Sequence, residues 1–237
     1  MSALPLPPDA QLLTLRHSER VNPGLSRLTF HCPALAAAQD DQADDNVLLW
    51  RADAPEASAR PYTVRARQDD TVVIDVHRHG PAGLGHWAVH AAPGATLLAR
   101  PLPLSGACLR AADYPHHVLL GDDSALPLLG RWLERLPEGI SAEVFVEIAN
   151  PSARQPLAED EDIAIQWLER NDFPATESQL LEDALTDFQL PDHIEDMDAV
   201  FFVIAGEASR SARMAQFLID AWAVEPDAIH HSGHWQG

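Results

Sequence analysis

The sequence predicts two domains of different class, an N-terminal antiparallel β-barrel over residues 1–110 and a C-terminal doubly wound α/β domain over residues 111–237. Two patterns and the change between them carry this. From residue 12 to about 110, short runs of alternating apolar and polar residues are separated by turn sequences. From Tyr114 onward, short continuous apolar runs alternate with amphipathic stretches of helical period. The change falls near residues 107–115. Closely spaced short strands close into a small barrel, and strands alternating with helices build a parallel sheet.

Residues 12–20 and 26–32 read as strands around a turn at Asn22-Pro23-Gly24. Residues 36–45, rich in Ala and Asp, read as a loop or short helix, residues 47–50 as a strand and residues 52–59 as a loop. Arg60-Pro61-Tyr62-Thr63-Val64-Arg65 then begins an edge strand, because Pro61 has no N–H to give to a ladder. Strand alternation puts Arg60, Tyr62 and Val64 on one face and Thr63 and Arg65 on the other. After a turn at Gln68-Asp69-Asp70, residues 71–77 form a strand that runs into His79-Gly80. A short helix over 86–91 and a strand over 95–99 complete the barrel. In the second domain, residues 118–120, 142–148, 163–168 and 199–205 read as strands, and 126–136, 178–188 and 209–223 as helices. Pro127 sits in the first turn of the first of these helices, where its missing N–H costs nothing.

The charge is one-sided. There are 36 acidic against 16 basic residues, a net charge of −20, and every base is Arg. Nucleic-acid binding is excluded, since neutralising phosphates needs a basic footprint. The absence of lysine excludes Schiff-base chemistry. Glu159-Asp160-Glu161-Asp162 and the acidic stretch 182–198 read as a solvated face, with a docking face for a basic partner as the alternative. No apolar run is long enough to span a bilayer, and Met1 to Ala10 lacks the pattern of a secretory signal. A cytoplasmic protein with no membrane partner is expected, with Cys32 and Cys108 as reduced thiols.

Three stretches carry ligand chemistry. In the 60–65 run, guanidinium groups suit phosphate, and Tyr62 offers a flat stacking surface at low entropic cost. The Gly-rich stretch His77-Arg78-His79-Gly80-Pro81-Ala82-Gly83-Leu84-Gly85 leaves a strand and enters a helix, and backbone N–H groups in such a turn bind diphosphate. His77 and His79 share a strand face but have no Cys or acid beside them, so no metal site is expected. His116-His117 and His230-His231 read as surface or turn residues. Gly121-Asp122-Asp123-Ser124 lies where the first strand of the parallel sheet hands over to its helix, the usual place for a ligand in such sheets. There Asp122 and Ser124 suit a ligand or, equally, a helix cap, and no GxGxxG run marks an ordinary dinucleotide site. Ala205-Gly206-Glu207 follows a later strand in the same way, with Arg210 and Arg213 beyond it.

The Arg60–Arg65 run resembles the flavin-binding motif of the siderophore-interacting proteins, flavin-dependent ferric-siderophore reductases related to the ferredoxin-reductase superfamily. Further segments resemble that family in its order: Asn22-Pro23-Gly24-Leu25-Ser26-Arg27-Leu28-Thr29; His79-Gly80-Pro81-Ala82-Gly83 through Trp87-Ala88; Gly121-Asp122-Asp123-Ser124-Ala125-Leu126-Pro127; Trp167-Leu168-Glu169-Arg170; Ala205-Gly206-Glu207; and Ser232-Gly233-His234-Trp235-Gln236-Gly237. The resemblance implies a ferredoxin-reductase-like fold that binds FAD. Arg60 would contact its phosphates, Tyr62 stack on the flavin, Thr63 approach the redox-active edge of the ring, and Arg65 add a second anion contact, with Pro61 and Val64 completing the motif. His77, His79, Gly80, Gly83, Gly85, Trp87 and Ala88 would form the phosphate turn and helix. Asp122, Ser124 and Ala125 would hold the nicotinamide donor, with Glu207 and Trp235 facing the flavin. Arg210, Arg213 and His234 are the substrate candidates. The family's C-terminal Gly-Tyr-Trp-Arg-like run is Gly233-His234-Trp235-Gln236 here, which thins the basic cluster expected for an anionic siderophore. The implied activity is FAD-dependent reduction of ferric iron in siderophores or other ferric chelates for iron acquisition. NADH, NADPH or reduced ferredoxin would be the donor, and no acid/base dyad would be needed. Two alternatives stand beside it: a general NAD(P)H:flavin reductase, and a non-catalytic protein that binds flavin or a ferric chelate.

Overall fold

The computed structural model describes residues 9–37, 42–54, 59–78, 83–158 and 160–237. The chain divides into two compact units, Met1–Leu104 and Ser105–Gly237.

In the first unit, β1 (Gln11–Asn22), β2 (Leu25–His31), β3 (Asn46–Trp50), β4 (Arg60–Gln68), β5 (Thr71–His77) and β6 (Thr96–Pro101) close into an antiparallel barrel in the order β1-β2-β5-β4-β3-β6. Alternation drives the closure. Leu13 and Leu15, Leu28 and Phe30, Val47 and Leu49, and Val72 and Ile74 all point into one buried core. A four-residue helix, α1 (Pro33–Ala36), follows β2. Helix α2 (Gly83–His90) lays Leu84, Trp87 and Ala88 against the same core.

Strand β4 lies inside the closed barrel, which corrects the expectation of an edge strand. Its first half nevertheless behaves as an edge. Strand β3 pairs with it from Arg60 to Thr63, whereas pairing with β5 starts only at Val64, next to a bulge between Val64 and Ala66. Opposite, Asp75 to His77 pair only with β2. The two strands thus part along Arg60–Thr63, and Pro61 is tolerated because one side of it has no ladder to feed.

In the second unit, β7 (His116–Asp122), β8 (Ser141–Ile148), β9 (Ile163–Glu169), β10 (Val200–Glu207) and β11 (Ile229–Trp235) form a parallel sheet in the order β11-β10-β7-β8-β9. The order reverses between β7 and β10, so the carboxyl ends of these two strands mark the switch point. The remaining helices are α3 (Ala107–Ala111), α4 (Leu126–Leu133), α5 (Leu180–Asp187) and α6 (Ala208–Trp222). On one face, α5 and α6 bury Leu181, Leu185, Met214 and Leu218 with Val118, Leu120, Phe202 and Ile204. On the other, Trp132 of α4 stacks on Phe201 with ring centroids 5.8 Å apart. Strand β11 and helix α3 have no counterpart in the sequence reading. Helix α3 belongs to the second unit, where Arg110 Nε donates to the Asp227 carbonyl at 3.2 Å.

The structure also corrects the placement of His116 and His117, which are buried in β7. His117 Nδ1 accepts from Trp132 Nε1 at 3.0 Å, and its Nε2 donates to the Ala111 carbonyl at 2.9 Å. Among the described residues no helix is long and apolar enough to cross a membrane.

Candidate functional site

The described candidate residues of the barrel unit lie on β4, at the end of β5 and on α2. Arg60 is exposed, with Nη1 donating to the Ala59 carbonyl at 2.8 Å, and Pro61 beside it is exposed too. Tyr62 is half-buried against the barrel core, and burial pushes its phenol up to about 12 against the pull of Arg60. It therefore stays a neutral, stackable ring at any working pH. Thr63 is buried, and Arg65 is half-buried. Val64 is a core residue whose N–H donates to the Asp45 carbonyl at 2.9 Å. The strand is braced on both flanks. Arg67 ion-pairs with Asp45 and donates to the Leu35 carbonyl at 2.6 Å, while Arg27 grips the buried Asp75 through two bonds of 2.8 Å.

His79 and Gly80 lie outside the described residues. Beside them, Gly83 opens α2 at φ +78° and is exposed. Gly85 and Ala88 are buried and Trp87 is half-buried on the barrel core, so Ala88 packs the helix down. His77 is half-buried against the first turn, where a Cβ on Gly24 would come within 3.0 Å of its Nε2. This contact explains the Asn22-Pro23-Gly24 motif: the turn must pass close under the end of β5.

In the second unit the carboxyl ends of β7, β10 and β11 converge on Asp122, which is 3% exposed. Its Oδ1 accepts from Ser124 N at 2.9 Å and Ser124 Oγ at 2.5 Å. Its Oδ2 accepts from Trp235 Nε1 at 2.8 Å and Glu207 N at 3.2 Å. The carboxylate reaches these partners because Gly206 lacks a side chain; a Cβ there would lie 2.6 Å from Oδ2. Asp122 and Ser124, read from sequence as ligand contacts, thus satisfy each other and pin Trp235. Ala125 is fully buried, packed on Gly121 where a Cβ would meet it at 2.5 Å.

Glu207 is partly exposed and caps α6. Desolvation opposes its charge, but Ser209 Oγ and the Arg210 N–H, each at 2.7 Å, together with the Ser209 and Gly237 N–H groups, lower its pKa to about 2. His234 is half-buried. Its Nδ1 donates to the Ser124 carbonyl at 3.0 Å and its Nε2 meets Ser232 Oγ at 3.2 Å. Burial lowers its pKa against the pull of that carbonyl and of Asp122, which keeps the ring neutral. Arg210 is buried, with bonds to Glu147 at 2.7 Å and to Glu182 at 2.8 and 2.9 Å. Burial opposes its charge, and these carboxylates more than restore it. His234 and Arg210 are thus both held by partners within the second unit. Arg213 is exposed, bonded to Ser209 Oγ at 3.1 Å and 3.9 Å from Glu182, and Gln236 is exposed.

Sequence reading missed Glu147, a fully buried carboxylate that binds Arg170 at 3.1 Å as well as Arg210. Arg170 in turn holds Asp123 at 2.8 Å, whose pKa is raised by burial against that arginine's pull. The sequence signal for this network is that each arginine comes within three residues after an acid at a strand end, Arg170 after Glu169 and Arg210 after Glu207.

A closed antiparallel barrel followed by a parallel sheet of this order is the ferredoxin-reductase-like class. Within that class the chain belongs to the siderophore-interacting protein family, whose model matches residues 114–237. It is 29% identical to the ferric vibriobactin reductase ViuB of Vibrio cholerae over a match covering 75% of this chain and 64% of that protein. The chain thus spans less than two thirds of that relative's length. It is 25% identical to an NADPH-dependent ferric-chelate reductase of Escherichia coli, covering 94% of this chain and 91% of that one. A siderophore utilization protein from T. fusca superposes with a TM-score of 0.78 at 26% identity, covering 96% and 92% of the two chains.

Proposed function

We propose that the protein reduces ferric iron held in siderophores or similar chelates, using FAD seated against the opening of β4 and a reduced nicotinamide as donor. The observation that carries this is the unladdered side of Arg60–Thr63, flanked by an exposed guanidinium and a neutral phenol. These residues fit the group: a planar heterocycle needs a flat partner and an open strand side, and a diphosphate needs a cation. The reductase names of the relatives support the same reading.

Bound FAD supplies the conversion between a two-electron hydride donor and a one-electron ferric acceptor. The chain's part is to bind and orient. Arg60 holds phosphate, Tyr62 covers the ring, and the Arg27–Asp75 and Arg67–Asp45 pairs fix the strands on either side. The Asp122 hub keeps Trp235 in one orientation, which positions an aromatic surface at the switch point without moving a proton. Iron leaves once reduced because Fe(II) binds hard oxygen ligands less well than Fe(III). The acidic surface disfavours an acidic ferredoxin as donor through like-charge repulsion.

Anaerobic titration of the FAD-loaded protein with NADH, NADPH and reduced ferredoxin, followed by addition of a ferric chelate, tests this. Bleaching by a nicotinamide and recovery with Fe(II) formation is the expected result. Turnover of free flavin with none of ferric chelates would identify a general flavin reductase. Bound flavin that no donor bleaches would identify a binding protein.

A further inference from the structure

Helix α2 carries His86 and His90 four residues apart, on one face and both exposed. Their rings sit 4.7 Å apart, centroid to centroid. The opposite face of the helix, Leu84, Trp87 and Ala88, is packed on the barrel core, which leaves the pair facing outward.

We propose that His86 and His90 form a bidentate site for a first-row divalent metal ion of borderline softness, Cu(II), Ni(II) or Zn(II). Two neutral imidazoles one helical turn apart present nitrogens to one ion, the geometry that helical zinc sites use for their first two ligands. No group of three or more potential metal-binding His, Cys, Asp or Glu side chains forms among the described residues, so water completes the shell. Affinity follows the series in which Fe(II) binds below Co(II), Ni(II) and Cu(II), so the ferrous product of the proposed reaction is a poor occupant. The site's physical consequence is a cross-link over one turn of an eight-residue helix, a length too short to be stable alone. An ion that binds only the folded chain stabilises it by mass action.

The test uses the full chain with Ni(II), Zn(II) and Cu(II) as probes, by calorimetry and by electron paramagnetic resonance of the copper form. One ion per chain is expected at this site, with nitrogen hyperfine structure in the copper spectrum. His86→Ala and His90→Ala should each weaken binding at least tenfold and simplify that hyperfine pattern. His231→Ala, at another exposed histidine, should leave both unchanged. Circular dichroism checks that each variant is folded, and His86→Asn and His90→Asn replace any alanine variant that is not. No metal binding by the wild type, equal affinity in the α2 variants, or dependence on only one of the two histidines would overturn the site.

Discussion

Asp122→Asn changes one atom of the hub and has a calculable cost. The amide oxygen keeps the place of Oδ1 and still accepts from Ser124. The amide nitrogen then faces two donors, Trp235 Nε1 at 2.8 Å and Glu207 N at 3.2 Å. Two hydrogen bonds to a charged acceptor are lost, each worth about 1.5–3 kcal/mol when buried. Trp235 and Glu207 are half-buried, so water recovers part of this, and a net loss of about 2–4 kcal/mol is expected. Flipping the amide does not help, because Ser124 N then meets the nitrogen. Urea denaturation followed by circular dichroism reads the stability change. Hydrogen exchange at Ser124, Glu207 and residues 235–237 should show the loosening confined to the three strand ends. A loss below about 0.5 kcal/mol, or unchanged exchange there, would refute the hub, since such a value is typical of surface substitutions.

Glu147→Ala should destabilise by about 3–5 kcal/mol by denaturation, because it leaves two buried arginines short of a partner; Asp53→Ala, which breaks an exposed pair with Arg51, should leave the midpoint unchanged. Thermal stability should fall as pH drops from about 6.5 toward 4. His116 is held to about 4 by burial, with His193 and His117 adding to it, so the unfolded chain takes up a proton there that the folded chain refuses. His116→Phe should flatten that slope. Glu207, lowered from 4.5 to about 2, adds a further loss below pH 4.5 as its native hydrogen bonds are titrated away. Neutral or cationic hydroxamate chelates should be reduced with higher kcat/KM than anionic catecholates, given a net charge of −20 and an Arg210 committed to carboxylates. Raising salt from 0.01 to 0.15 M shortens the Debye length from about 30 to about 8 Å and should narrow the gap. A catecholate that reacts faster and slows with salt would mean an attractive basic pocket.

The barrel is legible in the sequence because each strand faces one core, so Leu13/Leu15 or Val72/Ile74 announce their spacing. The parallel strands are legible for the opposite reason: Val118 to Leu120 and Phe201 to Ile204 are apolar on both faces because helices cover both. Strand β11 is hidden. Its sequence, Ile-His-His-Ser-Gly-His-Trp, has no apolar run or alternation, and it forms because β10 offers it a parallel ladder from Phe202 to Glu207. The site divides in the same way. The residue types of the 60–65 run point to their chemistry directly. The fates of Asp122 and Arg210 do not, because their partners lie far away in the chain: Trp235 is 113 residues from Asp122, and Glu147 is 63 from Arg210. Charged side chains that look available for a ligand in one dimension are already spent on each other in three.

Flavin affinity of the wild type and of Tyr62→Ala and Arg60→Ala is the most direct test of whether the opening of β4 seats FAD. The purified protein should be yellow and release FAD on denaturation. Tyr62→Ala should weaken FAD binding by about 1–3 kcal/mol, the scale of a lost aromatic stacking contact. Arg60→Ala should weaken it further, because a charge-assisted phosphate contact goes with it. FAD bound at wild-type affinity by both variants, or no FAD bound by the wild type, would place the cofactor elsewhere or remove it from the protein.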